Sequence, residues 1–239
     1  MTDEPTILRT LEAGVLTLRL NRPAARNAIN HQMRSELRSM LQDAAADPDA
    51  RVVVLAGDER AFCSGGDIKE MGGTAADSAA KLALAKQVVQ LIADMPKPVV
   101  AAVRGHAAGA GFSLALACDF VVVDQTALFR SAFITRGLVP DMAGTYWLAR
   151  QVGLYRAKDI ALTNRPVTAQ EAFDLGIASR LWSAPEFGDQ LSQFSRSLAD
   201  GPTLALGLTK RLINRAFESD LGAALDAEAL AQTIASSSE

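Results

Sequence analysis

The segment Phe62-Cys63-Ser64-Gly65-Gly66-Asp67-Ile68-Lys69-Glu70 follows an apolar run at residues 51–56 that reads as a buried strand. Paired glycines at the end of such a strand let the chain turn sharply and let a ligand approach the main-chain amides. Backbone N–H groups are offered to a developing negative charge in this way. A Gly-Gly pair alone is more often a plain turn. Here, however, a second glycine turn, Gly105-His106-Ala107-Ala108-Gly109-Ala110-Gly111, follows a second apolar run at residues 97–104. The Gly66 N–H lies after the first turn. The Ala110 N–H is expected at the N-terminus of a helix, where unpaired donors and a partial positive charge collect. Two such donors converging on one carbonyl oxygen would stabilise an enolate oxyanion, each worth about 3–4 kcal/mol of barrier.

Other chemistries find little to work with. The only histidines are His31 and His106, which leaves zinc hydrolysis and a Ser-His-Asp triad short of parts. His31 reads as first-turn helix surface and His106 as structural. The Gly105-x-x-x-Gly109-x-Gly111 spacing fits neither a P-loop nor a dinucleotide fingerprint. Cys63 and Cys118 read as small buried hydrophobes, and two cysteines offer neither a disulfide framework nor metal-ligand spacing. A net charge of −3 with scattered basic residues gives no nucleic-acid face. The longest apolar runs are broken by Pro98, Arg104 or Asp119, and the start Met1-Thr2-Asp3-Glu4-Pro5 is unlike a signal peptide. The expectation is a soluble cytoplasmic protein with no metal and no separate cofactor, and with neither nucleic acid nor membrane as a partner.

The elements that must hold these turns follow from the hydrophobic pattern. Residues 7–11 and 15–20 are β-prone and separated by Glu12-Ala13-Gly14, predicting a hairpin. Asn30 is a plausible N-cap for a helix on which Met33, Leu37, Met40, Leu41 and Ala44 recur at helical spacing. Residues 71–74 read as a loose, mobile segment, and Leu82, Val88, Val89, Leu91 and Ile92 mark a helix running to Pro96. Residues 112–117 suit a buried helix, with short strands at 120–123 and 127–129. This alternation of strands and helices predicts an α/β architecture with crossover connections. Asp141 can cap a helix through Arg150, closed by Gly153, and Thr168-Ala169-Gln170-Glu171 has the form of a capping box. From Pro185 onward three helices follow, with breaks at Gly201-Pro202 and Ser219-Asp220. The division is therefore a core at residues 1–184 and a helical region at residues 185–239, whose serine-rich end reads as truncated. No fixed-period repeat shows.

The ordered motifs resemble the crotonase (enoyl-CoA hydratase/isomerase) superfamily. The match runs from the strand at residues 15–20 with Asn21-Arg22-Pro23 and Asn27-Ala28, through residues 62–70, 97–111 and Cys118-Asp119, to residues 137–145 and the helical tail. The resemblance implies a ββα spiral core with a C-terminal helical trimerisation region, a homotrimer or dimer of trimers, and an acyl-CoA thioester substrate. It implies that the Gly66 and Ala110 amides form an oxyanion hole. It also implies that Ser64, Asp67, Ile68 and Lys69, with Arg26 and Ala28 on the preceding loop, lie near the coenzyme A moiety.

The departures from the family pattern are as informative. Hydratases of the family carry two catalytic glutamates, which motif alignment places at Ser113 and Phe133. Neither position is a carboxylate here. Water addition to a conjugated double bond needs a positioned base and acid, each worth about 10²–10⁴-fold, so an ordinary hydratase mechanism is not expected. Where hydratases have glycine, this chain has Asp141, and that aspartate resembles the branch containing phenylacetate-pathway 1,2-epoxyphenylacetyl-CoA isomerases. Chlorobenzoyl-CoA dehalogenases also have an aspartate there, but they pair it with a loop tryptophan. Trp147 falls inside the predicted helix instead. The resulting expectation is an acyl-CoA isomerase with Asp141 as acid/base. The alternatives are an atypical hydratase or an acyl-CoA-binding relative without catalysis.

Overall fold

The computed structural model describes residues 4–237, so the first three residues and the last two of the serine-rich end lie outside the described residues. β1 (Ile7–Glu12) and β2 (Val15–Leu20) form the expected antiparallel hairpin, turning on Ala13 and Gly14 at positive φ. Asn30 caps α1 (His31–Ala46), its side chain accepting the Met33 N–H at 2.9 Å. There follow β3 (Val52–Ala56), β4 (Ala61–Cys63), α2 (Ala75–Asp94), β5 (Val99–Val103), β6 (His106–Ala108), α3 (Ala110–Leu116), β7 (Phe120–Asp124) and β8 (Leu128–Arg130). The remainder comprises α4 (Gly144–Val152), α5 (Leu154–Thr163), β9 (Pro166–Thr168), α6 (Ala169–Asp174), β10 (Arg180–Trp182), α7 (Phe187–Ala199), α8 (Thr203–Arg215) and α9 (Leu221–Ser236).

Each turn of the spiral contributes one strand to each of two sheets. The six-stranded sheet has the order β1-β2-β3-β5-β7-β10, the four-stranded sheet β4-β6-β8-β9, and β3 through β10 of the larger sheet run parallel. Strands buried on both faces need near-continuous apolar sequence, and Val-Val-Val-Leu-Ala and Val-Val-Ala-Ala-Val supply it. One face packs on α1, α2 and α3. The other is covered by α7, where Phe187 and Ala199 bury against Val52, Val54, Val100, Ala102 and Val122. The helical region beginning at residue 185 thus opens with a helix that is a layer of the core, because the second face of the parallel sheet has no other cover.

Several expectations are revised. α2 begins at Ala75, much earlier than its apolar face, because Thr74 and Asp77 form a reciprocal capping box. The residues expected to be loose therefore end in an ordered cap. His106-Ala107-Ala108 is a strand of the smaller sheet rather than part of the glycine turn, and β9 and β10 are further short strands absent from the sequence reading. At Thr168 only half a capping box forms: its side chain accepts the Glu171 N–H, while the Glu171 carboxylate pairs with Arg165.

Buried lysines lock the layers. Lys97 Nζ donates to the carbonyls of Ala44, Asp47 and Ala50, closing the C-terminus of α1. Lys210 of α8 pairs with Asp119 at 2.8 Å and donates to Ile92 O, fastening α8 to the spiral. α9 buries no residue; Leu221, Leu225, Leu230 and Ile234 are exposed along it. Among the described residues no helix is long and apolar enough to cross a membrane.

Candidate active site

The two glycine turns, distant in sequence, touch. β4 pairs with β6, so the chain leaving Cys63 runs beside the chain leaving Ala108. Gly65 has φ +109°, and a Cβ there would lie 3.0 Å from Ala108 O and 3.7 Å from Ala110 N. Gly109 has φ +52°, and a Cβ there would lie 3.8 Å from Gly65 Cα. A Cβ on Gly111 would stand 2.3 Å from Cys63 O, so α3 can seat against β4 only with glycine at that place. Ala110 is the first residue of α3 and is buried. Among the described residues neither the Gly66 nor the Ala110 N–H donates to an acceptor, although the neighbouring Gly65 O and Asp67 N–H are both paired with Ile29. Two free amides therefore sit at the contact of the two turns, one of them at a helix N-terminus.

The loop at residues 22–28 is stitched to the first turn. Ser64 N–H donates to Arg26 O at 3.0 Å and Ser64 Oγ to Ala25 O at 3.1 Å. Arg26 and Asn27 both take left-handed φ, and Asn27 is fully buried, its amide donating to Ala61 O at 2.8 Å. Ala28 is buried beside it. Asp67 is buried, paired with Arg22 at 2.8 Å and accepting the Lys69 N–H at 3.0 Å. Burial raises its carboxyl, but the Lys69 N–H and the Arg22 guanidinium outweigh that and hold it below the usual carboxylate range. Its carboxylate is thus committed within the protein, whereas Ile68 and Lys69 are exposed on the rim. Arg22 and Asn27 stood in the sequence only as parts of matching motifs; their partners, the Asp67 carboxylate and the Ala61 carbonyl, lie too far along the chain for local pattern to reveal. Cys63 is fully buried, and its thiol is pushed up to about 12 by burial, which removes it as a nucleophile.

α4 brings the third component. It packs its N-terminus on α3 so closely that a Cβ on Gly144 would lie 2.4 Å from Ser113 Oγ. Phe133 is buried, its ring 3.9 Å from the Cβ position of Gly109. Between Ser113, Phe133, Pro140 and Gly144 only a void of about 10 Å³ remains. The two positions where the resemblance places the hydratase glutamates are therefore occupied by a small hydroxyl and an apolar wall.

Asp141 does not cap α4. The helix starts at Gly144 with Ala143 as its N-cap and no side-chain cap bond, because Met142 (φ +50°) and Ala143 (φ +59°) both turn left-handed and carry Asp141 out of register. Successive non-glycine residues in that region cost about 1–2 kcal/mol each and cluster at functional sites. Asp141 Oδ1 is buried and has no hydrogen-bond partner among the described residues. Burial pushes its carboxyl above the ordinary value, opposed in smaller measure by the Arg34 charge and its own N–H. Trp147 lies within α4, edge-on to Tyr146, and not on the loop with Asp141.

The chain matches the enoyl-CoA hydratase/isomerase family model over residues 10–239. It is 37% identical over 234 residues to the 1,2-epoxyphenylacetyl-CoA isomerase of Escherichia coli (strain K12), covering 96% of this chain and 89% of that protein. It is 39% identical over 233 residues to a probable enoyl-CoA hydratase of Rhodobacter capsulatus, covering 95% and 88%. Among solved structures, a putative enoyl-CoA hydratase from Thermobifida fusca YX in complex with acetoacetyl-CoA superimposes with a TM-score of 0.88 at 31% identity, over 96% of this chain and 94% of that one.

Proposed function

The chain belongs to the enoyl-CoA hydratase/isomerase family, and on that footing we propose that it is an isomerase that moves a double bond in an enoyl-CoA thioester. The observation that carries this reading is the Asp141 carboxylate, whose Oδ1 is buried without a partner, in a chain with no carboxylate at Ser113 or Phe133. The thioester carbonyl oxygen would accept from the Gly66 and Ala110 N–H groups. Asp141 takes the proton from C2, the C2–H electron pair forms the C1=C2 bond of a dienolate, and the carbonyl π pair moves onto the oxygen held by the two amides. The protonated Asp141 then gives the same proton to C4 as the enolate collapses. The double bond has moved from C3–C4 to C2–C3, and the carboxylate is restored. Burial serves both halves of the cycle, since a carboxyl raised above its ordinary value is a stronger base and still a usable acid. The same chemistry extends to unsaturation derived from a ring epoxide.

Coenzyme A enters as part of the substrate in this reading. Ile68, Lys69 and the Arg26–Ala28 loop, held by Ser64 and Asp67, would form its seat. The exposed apolar residues of α9 fit a homotrimer or dimer of trimers. The second enzymatic reading is a hydratase, favoured by the name of the Rhodobacter capsulatus relative. It requires a second group to handle water, which neither Ser113 nor Phe133 provides. Turnover of a 3-enoyl-CoA by wild type and Asp141→Asn decides the matter: a loss of about 10²–10⁴ in kcat is expected. Undiminished turnover removes Asp141 from the mechanism. Water addition to crotonyl-CoA at a rate exceeding isomerisation selects the hydratase, and thioester binding without either reaction selects a non-catalytic binder.

A further inference from the structure

The space in front of Gly66 has one neighbour. Among the described residues, the methyl carbon Cε of Met71 is the only atom outside the adjoining chain within 4 Å of a Cβ built on Gly66, and it stands at 4.0 Å. Met71 follows the short helical turn Ile68–Glu70, and its N–H donates to Ile68 O at 3.2 Å. The residue before it is held twice. The Glu70 carboxylate accepts the His31 N–H at 2.8 Å, and Lys81 Nζ donates to Glu70 O. The residues after it are Gly72 and Gly73 at φ +101° and +95°, and a Cβ on Gly72 would meet nothing within 4 Å. The main chain thus sets the Met71 thioether against the first glycine turn while leaving it 45% exposed.

No other described methionine has that exposure. Met33, Met95 and Met142 are buried, and Met40 is half-buried against the core. The thiols do not compete for oxidants. Cys63 and Cys118 are both buried, and burial pushes both above the ordinary thiol value, so neither offers a thiolate. The most accessible sulfur among the described residues therefore lies beside a backbone N–H that has no acceptor.

We propose that Met71 is a reversible oxidation site whose sulfoxide closes the Gly66 amide to substrate. A hydroperoxide transfers one oxygen to the thioether. The O–O bond breaks, an S–O bond forms, and sulfur is oxidised by two electrons as the peroxide is reduced. The departing oxygen takes up the hydroperoxide proton and leaves as an alcohol, or as water from hydrogen peroxide. An apolar side chain becomes a polar one with a hydrogen-bond acceptor, a change that methionine sulfoxide reductases undo. The sulfoxide oxygen accepts from the Gly66 N–H, the place that a thioester carbonyl would take. This consequence rests on the acyl-CoA reading above; the site of oxidation does not.

The test treats the full chain with hydrogen peroxide and maps sulfoxides by peptide mass spectrometry. Met71 should be modified ahead of Met33, Met40, Met95 and Met142. Titration calorimetry with butyryl-CoA, a saturated thioester that cannot isomerise, reads the consequence without turnover. Oxidised wild type should bind it at least about tenfold more weakly than untreated protein. Sulfoxide reductases should restore the affinity, and Met71→Leu should keep after peroxide the affinity it had before. Hydrogen exchange should slow at the Gly66 amide on oxidation. Met40 modified as fast as Met71 overturns the oxidation site. Full modification of Met71 with unchanged affinity, or an equal loss in Met71→Leu, overturns the closure. Weakened binding without slower exchange at Gly66 overturns the bond between sulfoxide and amide. If untreated protein fails to bind butyryl-CoA, the acyl-CoA reading falls and the closure with it, while the mass map alone still decides the oxidation site.

Discussion

Asp67 and Asp141 are two carboxylates that the protein treats oppositely. Asp67 follows the first glycine turn and is held by the Arg22 guanidinium and the Lys69 N–H, so its carboxyl titrates below the ordinary value. Asp141 follows Pro140, sits ahead of two left-handed residues, and leaves Oδ1 buried without a partner, so its carboxyl titrates above it. The first carboxylate fixes the chain that presents the Gly66 amide. The second is left with one oxygen unpaired and with its charged form disfavoured by burial. Residue type and exposure to sequence-level inspection are similar in the two cases; the difference lies in what surrounds them.

The comparison breaks most forcefully through the amide side. Gly65→Ala places a Cβ 3.0 Å from Ala108 O at φ +109°, displacing the turn that presents the Gly66 N–H. Steady-state assay should show kcat lower by about 10²–10³, the effect of losing one oxyanion donor. An unchanged kcat would show that the Gly66 amide is not a catalytic donor.

Next in size is Asp67→Asn, which removes one partner of a buried ion pair and leaves Arg22 unmatched. Thermal unfolding at neutral pH should reveal a loss of about 1–3 kcal/mol. Because the folded carboxyl is held below its unfolded value, the stability it contributes is present above the unfolded value. That stability disappears as pH falls through the folded one. The gap between variant and wild type should therefore close in acid.

Asp141→Asn should show the reverse slope. The folded Asp141 carboxyl is raised, so its stabilising contribution is complete below the unfolded value and is lost as pH rises through the folded value. Removing the buried charge should then raise Tm at neutral pH even as kcat falls, with each kcal/mol worth about 2–4 °C in a chain of this size. The gain should vanish below about pH 4, near the ordinary aspartate value. Parallel pH slopes for the two variants would dissolve the contrast between these carboxylates.

The smallest effect is expected at Ala143→Gly. Relief of a left-handed alanine should add about 1 kcal/mol or less to stability, since glycine also gives back chain entropy. If the strained pair aims Asp141, kcat should fall by a modest factor at unchanged KM; equal kcat would assign the strain to packing alone.

The sequence by itself determined much of this protein. Continuous apolar runs at residues 52–56 and 99–103 can only be strands covered on both faces, and the breaks at Gly201-Pro202 and Ser219-Asp220 do separate α7, α8 and α9. Gly65 and Gly109 stood out because a positive φ and a close backbone approach leave few other residues possible. The absence of carboxylates at Ser113 and Phe133 was legible from the letters alone. Short strands such as β6, β9 and β10 were not, because three residues carry too little periodic signal and owe their conformation to neighbours already in place. The structural repeat was hidden for a related reason: its strands β3, β5 and β7 begin at Val52, Val99 and Phe120, and the unequal connections erase any fixed period.

Only the tertiary structure decided the fate of Asp141. In the sequence, Asp141 could be a helix cap, an acid/base or both, since local pattern cannot report what surrounds a side chain. In the fold, Met142 and Ala143 turn the chain away, α4 closes on Ser113, Phe133 dries the turn beside it, and Arg34 arrives from α1. A carboxylate's solvation and charge partners are set by groups brought together from four separate stretches of chain. That is why its burial and its unpaired oxygen could not be read before they met.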